Sequence, residues 1–248
     1  MVNCVGILTE SGRNTFDAVQ EFGAKAIAEA ARDAGATLTH ISAIGAEANS
    51  QTGYGRTKGR AEAAIHSVLP GAVILRPSII FGPEDDFFNK FAKVARSMPF
   101  LPLIGGGKTK FQPVYVEDVA EAVARSVDGK LKPGTIYELG GQDVMTFRDC
   151  LEAVLAATYR QRPFINLPFG VASMIGKIAS LVPLITPPLT ADQVTMLKKD
   201  NVVSSEAEKN GLTLEGIGIN PVRVASVLPS YMVQYRTHGP FSNAGKAA

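Results

Sequence analysis

The chain reads as an α/β protein built on an open parallel sheet with helices on both faces, followed by a small C-terminal α/β lobe. Three observations predict this. Short, continuous apolar runs at 2–8 (VNCVGIL) and 72–77 (AVILRP) have the length of buried strands and lack the alternation of a half-exposed one. The segments between the strands carry helical apolar spacing. The connections are long enough for parallel crossovers.

In order along the chain, residues 2–8 are expected as a fully buried strand. Residues 15–34 carry apolar side chains at 19, 22, 26, 27 and 30, a helical stripe closed by Gly35 where a C′ glycine belongs. TLTHISAIG (37–45) reads as strand, and 53–68 reads as a second helix broken by Pro70-Gly71. The next strand is 72–77. Residues 87–96 read as helix, 99–107 as a Pro/Gly-rich loop, 111–116 as a short strand and 117–127 as an amphipathic helix. IYELGG (136–141) is strand plus turn, and Thr146 with Asp149 three residues on is a capping-box-like helix start. Beyond 164 the order is less regular, with Pro-rich stretches around 183–188.

Composition narrows the function classes. Of 248 residues, 46% are hydrophobic and 19% charged, which excludes a disordered chain. The net charge of +2 gives no electrostatic footprint for nucleic acid. Cys4 and Cys150 make no disulfide scaffold and read as buried structural thiols, and the three histidines lack zinc spacing. The nearest approach to a membrane span, 167–189, is broken by Lys177 and by the prolines at 183, 187 and 188, and the N-terminus has no secretory signal pattern. The apolar stretch 169–182 reads as a lobe-packing helix or, more sharply, as a membrane-surface or partner-docking helix.

The chemistry concentrates between Ser42 and Lys58. Tyr54 and Lys58 stand at i and i+4, so their heads can meet on one helix face. An ammonium beside a phenol lowers the phenol's pKa from ~10 and prepares it for proton exchange during hydride transfer. Ser42, at the end of the preceding strand, can hold the same substrate oxygen. On spacing alone, Y-x-x-x-K fits a solvated lysine beside a half-buried tyrosine better. The position after a strand ending in serine, within an α/β sheet, favours the chemical reading.

Residues 3–141 resemble an extended or atypical short-chain dehydrogenase/reductase, with a Rossmann-like sheet. Asn3-Cys4-Val5-Gly6 is similar to that family's motif after its fourth strand. Ser42, Tyr54 and Lys58 match its catalytic set, in which the lysine also holds the nicotinamide ribose. The run from Arg76 through Pro77, Ser78, Ile79 and Ile80 to Pro83 resembles the segment whose backbone meets the nicotinamide, and the stretch from Phe111 to Ala120 resembles the one before the next helix. HISAIGAEANS, YGRTKGRAE and RPSIIFGPEDDFFNKFA are similar to the NAD(P)H-binding accessory subunit of respiratory complex I and its bacterial relatives. The resemblance implies an NAD(P)H cofactor, mainly structural, touched by Asn3, Val5, Gly6, Tyr54, Lys58, Pro77, Ser78, Ile79 and Ile80. It implies complex I subunits or quinone-pathway proteins as partners, membrane-surface contact, and a cytoplasmic location that extends to the cytoplasmic face of the inner membrane. The alternative is a catalytic nucleotide-sugar epimerase or dehydratase, or a carbonyl reductase, using the Ser-Tyr-Lys set.

The family pattern also demands a glycine-rich loop opening a helix, which seats the pyrophosphate. This sequence has none, and its first strand corresponds to the family's fourth. We therefore expect a sheet lacking its first three strands, with Met1 an internal residue of a longer protein; a genuine short protein is the alternative. These 248 residues alone are expected to bind NAD(P)H poorly. The expected organisation is a dinucleotide-type domain over 1–82 and 111–141, a substrate or partner lobe over 83–110 and 142–240, and a loose tail at 241–248. Gly105-Gly106-Gly107-Lys108 lacks P-loop spacing and reads as a flexible surface turn, and Gly216-Ile217-Gly218 as another turn.

Overall fold

The computed structural model describes residues 1–180 and 190–237. The Pro-rich stretch at 183–188 and the 241–248 tail lie outside the described residues. The chain runs β1 (Val2–Asn3), a π-helical segment (Asp17–Phe22) continuing into α1 (Gly23–Asp33), β2 (Thr39–Ile41), α2 (Gly53–Val68) and β3 (Val73–Pro77). Then come β4 (Ile80–Phe81), α3 (Phe87–Ser97), β5 (Leu101–Ile104), β6 (Lys110–Phe111), β7 (Val114–Tyr115), α4 (Val116–Val127) and β8 (Ile136–Leu139). The C-terminal part holds β9 (Met145–Thr146), α5 (Phe147–Thr158), β10 (Phe164–Leu167), α6 (Phe169–Ser180), α7 (Ala191–Met196), α8 (Ser205–Lys209) and α9 (Val224–Tyr231).

β1, β2, β3 and β8 form one sheet in that order, all parallel, with Val2 opposite Thr39, Ile41 opposite Leu75 and Leu75 opposite Tyr137. Its two faces bury different partners. Ala24, Ala28 and Ala31 of α1 pack with Ala61 and Ile65 of α2 and with Leu38. Val73, Leu75, Tyr137 and Leu139 pack against Val119 and Ala122 of α4 and against Leu214 and Ile219. Helices therefore cover both faces, as the strand–helix alternation requires. A Cβ on Gly59 would lie 2.4 Å from the backbone of residues 47–48, so only glycine lets α2 press against that loop.

The C-terminal lobe is packed around rings. Phe81, Phe88, Phe91 and Phe147 are at most 1% exposed, and Phe87 stacks edge-on against Phe88, Phe91 and Phe147 at 5.2–6.2 Å. The predicted Thr146–Asp149 capping box starts α5.

Four expectations change. The strand at 2–8 is ordered as strand only over Val2–Asn3, and it is the sheet's edge, so Val2, Val5 and Leu8 are exposed rather than buried. The buried face of the first helix is Gln20, Ala24, Ala28 and Ala31, not the predicted stripe, and Phe22 is 72% exposed. The wider π-helical turn ahead of α1 rotates the face, and the close contact with α2 selects small side chains. Within the expected loop 99–107, Leu101–Ile104 is strand, because β10 pairs with it in parallel from sixty residues further on. The glycine turn that follows is packed rather than free: a Cβ on Gly105, at φ +59°, would meet the Phe169 ring at 2.2 Å.

Candidate active site

The site forms at the C-terminal ends of the parallel strands, where loops after β1, β2 and β3 diverge. α2 supplies its wall. Thr52 caps that helix by accepting from the Gly55 amide at 3.1 Å. Asp192 of α7 adds a second cap, its carboxylate accepting from the Gly53 and Tyr54 amides at 3.2 and 3.4 Å. Tyr54, Lys58 and Glu62 follow at four-residue spacing on the face turned to the sheet.

Their surroundings differ from the expected proton-transfer arrangement. Ser42 Oγ donates to Glu62 Oε1, and Arg76 grips the same carboxylate with Nε and Nη2, the first at 2.9 Å. Arg76 Nη1 lies 3.7 Å from Glu138. Lys58 is 5% exposed and donates from Nζ to the Ile41 carbonyl at 2.9 Å. Burial lowers the Lys58 pKa to about 8, although Glu62 and Cys4 oppose the shift. Tyr54 is not lowered toward neutral pH as the spacing predicts: burial pushes it up to about 12, and Lys58 does not offset this. Its hydroxyl has no hydrogen-bond partner among the described residues, and its ring meets Phe16 edge-on at 6.1 Å. At neutral pH Tyr54 is a phenol that can donate a hydrogen bond.

Beneath Lys58 lies His40, 1% exposed, with Nδ1 3.0 Å from Asn3 Nδ2. Because the amide donates, Nδ1 accepts and the proton sits on Nε2, which is buried without a partner. Burial first, and Lys58 second, drop the His40 pKa to about 3.

Ser42, Tyr54, Lys58, Gly6 and Pro77 through Ile80 all line one cavity of about 820 Å³. Asn3 and Val5 do not. Asn3 is buried under the sheet edge, accepting from the Val5 amide at 3.0 Å, and the Val5 side chain is 52% exposed. Cys4 corrects another expectation: it is exposed, lines the cavity and lies near Lys58, whereas Cys150 is buried and raised to about 12. A Cβ on Gly6 would come within 3.3 Å of Lys58 Nζ, so the glycine keeps the approach to that ammonium open. Phe87 also lines the cavity, and Phe88 faces the core.

Sequence reasoning missed Glu62, His40, Asp192 and Asn201. Glu62 was legible, since it continues the Tyr54–Lys58 spacing by one more helical repeat. Asn201, which accepts from Ser78 Oγ at 2.7 Å and donates to the Ile44 carbonyl at 3.0 Å, carries no local signal. Among the described residues no group of three or more His, Cys, Asp or Glu can hold a metal ion, and no helix is long and apolar enough to cross a membrane.

This parallel sheet, helices on both faces and a Ser-Tyr-Lys set at the strand ends define a short-chain dehydrogenase/reductase-like fold of the epimerase/dehydratase type. Within that class, the chain belongs to the family of the RmlD substrate binding domain, whose model matches residues 8–167. It is 32% identical over 252 residues to NADH dehydrogenase [ubiquinone] 1 alpha subcomplex subunit 9 of Arabidopsis thaliana, covering 97% of this chain and 61% of that protein. It is 30% identical to the Mus musculus protein of the same name, covering 96% and 62%. The chain thus spans about three fifths of these relatives. Among solved structures it is similar to a mutant UDP-glucuronic acid 4-epimerase of Bacillus cereus in complex with UDP-4-deoxy-4-fluoro-glucuronic acid and NAD. That match has a TM-score of 0.67 and 17% identity, and covers 94% of this chain and 74% of the epimerase. At that identity the likeness is one of fold.

Proposed function

We propose that the chain is part of an NAD(P)H-binding accessory component of NADH:ubiquinone oxidoreductase, or of quinone metabolism, in which the cofactor is held rather than turned over. One observation carries this reading. Of the three residues that would run proton transfer, Ser42 donates a hydrogen bond to Glu62, Lys58 donates one to the Ile41 carbonyl, and nothing lowers the Tyr54 phenol, which burial pushes up to about 12. Likeness to the complex I subunits supports it. Lys58 and Tyr54 would hold the nicotinamide ribose, and the backbone of Pro77–Ile80 would face the ring. NAD(P)H, when bound, supplies a hydride. The protein would lie in the cytoplasm or on the cytoplasmic face of the inner membrane, with the exposed Val171, Met174 and Ile175 of α6 meeting a partner or the membrane surface.

The test is cofactor content and turnover of the protein purified from its own cells. The expected result is co-purified NAD(P)H, lost in Lys58→Met, co-fractionation with respiratory membranes, and no steady oxidation with decyl-quinone or a sugar nucleotide. Turnover abolished by Tyr54→Phe overturns it in favour of a catalytic epimerase, dehydratase or carbonyl reductase.

A further inference from the structure

We infer that the part of the cavity beside the nicotinamide seat proposed above takes an uncharged ligand with a hydrocarbon body and a single carbonyl or hydroxyl oxygen, and that it rejects the diphosphate of a sugar nucleotide. This deepens the reading above, and rests on it only for placing the ligand's oxygen at Tyr54. The volume, about 820 Å³, is in the range that small molecules fill. Opposite α2, the wall is Ile79, Ile80, Phe87, Phe91, Phe111 and Met196, side chains that offer contact area and no hydrogen bonds.

Charge excludes the diphosphate. Among the described residues no arginine lines the cavity, and three lysines, Lys58, Lys90 and Lys199, face four carboxylates, Glu84, Asp85, Asp86 and Asp200. Two of those lysines are already engaged, Lys58 by the Ile41 carbonyl and Lys199 by Glu47. A helix N-terminus is the other common phosphate seat. Those bordering this cavity are filled or guarded by carboxylates. Asp85 accepts from the Phe88 and Asn89 amides of α3 at 2.6 and 3.1 Å. Asp192 covers the start of α2, and α4 carries Glu117 and Asp118 in its first turn. The Tyr54 hydroxyl, unpartnered among the described residues, is the donor left for one neutral oxygen.

The experiment titrates the protein as purified from its cells, by calorimetry, with 2-octanone, 2-decanone and 2-dodecanone, and separately with UDP. Each added methylene should tighten binding ~4-fold, as burial of one more apolar group requires. UDP should neither bind nor displace 2-dodecanone. Met196→Lys on α7 and Phe87→Ser on α3 alter the apolar lining on two different elements, and thermal melting identifies which variants remain folded. A folded variant should lose about tenfold in affinity for 2-dodecanone. UDP binding tighter than 2-dodecanone, affinity independent of chain length, or folded variants with unchanged affinity would each overturn the inference. Cofactor content is read on the same samples. Absent NAD(P)H with an intact ketone series sinks the functional reading alone, and bound NAD(P)H without ketone binding sinks this one alone.

Discussion

The sheet half and the C-terminal lobe bury comparable side chains by opposite means. Between α2 and the strand ends the apolar packing gives way to a polar, directional patch: Ser42, Lys58, Glu62 and His40 are all at most 5% exposed, and their contacts are hydrogen bonds and ion pairs. Around α3 and α5 the interior is aromatic, held by area and ring packing. The difference teaches where chemistry can reside. A ring cluster tolerates adjustment. A buried Arg–Glu–Ser chain has one arrangement, and whatever the cavity holds is presented to a rigid wall.

The comparison can be broken most severely in the lobe. Phe147→Ala, which opens a void among rings away from the cavity lining, should cost about 3–5 kcal/mol by denaturant melting, with the sheet-half site unchanged in cofactor content. In the sheet half, Glu62→Met leaves the half-buried Arg76 with only the weaker pull of Glu138 and Glu47, and should cost up to about 3 kcal/mol. Adding Arg76→Met should recover most of that loss, because an apolar pair carries no desolvation cost. A double variant as unstable as the single one would mean that the ion pair is a net stabiliser, contrary to this view.

The smallest effect is a pH response. His40 is neutral when folded down to about pH 3 but takes a proton near 6.5 when unfolded. Between those values the unfolded chain binds more protons, so stability falls as pH falls through that window. The loss attributable to His40 should reach about 2 kcal/mol by pH 5. His40→Leu should flatten that limb of the stability-versus-pH curve, and an unchanged limb would assign it to other groups.

The sequence displays the site through local spacing and hides what depends on distance. Ser42, Tyr54 and Lys58 were legible because one strand end and one helix bring them together. Their protonation was not, because the pKa of Tyr54 is set by burial and Lys58 turns to a carbonyl. The sheet was legible from its apolar runs. β5 was not, because Pro102 reads as a loop residue and its partner strand lies sixty residues on. The buried face of α1 was misread because alanines make weak hydropathy signals and the preceding π-helical turn shifts the angular register. Asp192, in the first turn of α7, and Asn201, which bridges to Phe111, have roles that exist only once the C-terminal segment packs against the sheet half.

The cap that Asp192 places on α2 has a consequence for synthesis. The Tyr54 amide precedes its carboxylate partner by 138 residues, so a ribosome moving at 5–20 residues per second makes that carboxylate roughly 7–28 s after the helix it completes. Until then α2 starts with Thr52 alone as its side-chain cap. The wall carrying Tyr54 is therefore finished late on the nascent chain, by the same segment that lines the cavity with Gln193 and Met196. The opening is made and bounded in one step, so the growing polypeptide offers no finished pocket before that segment arrives.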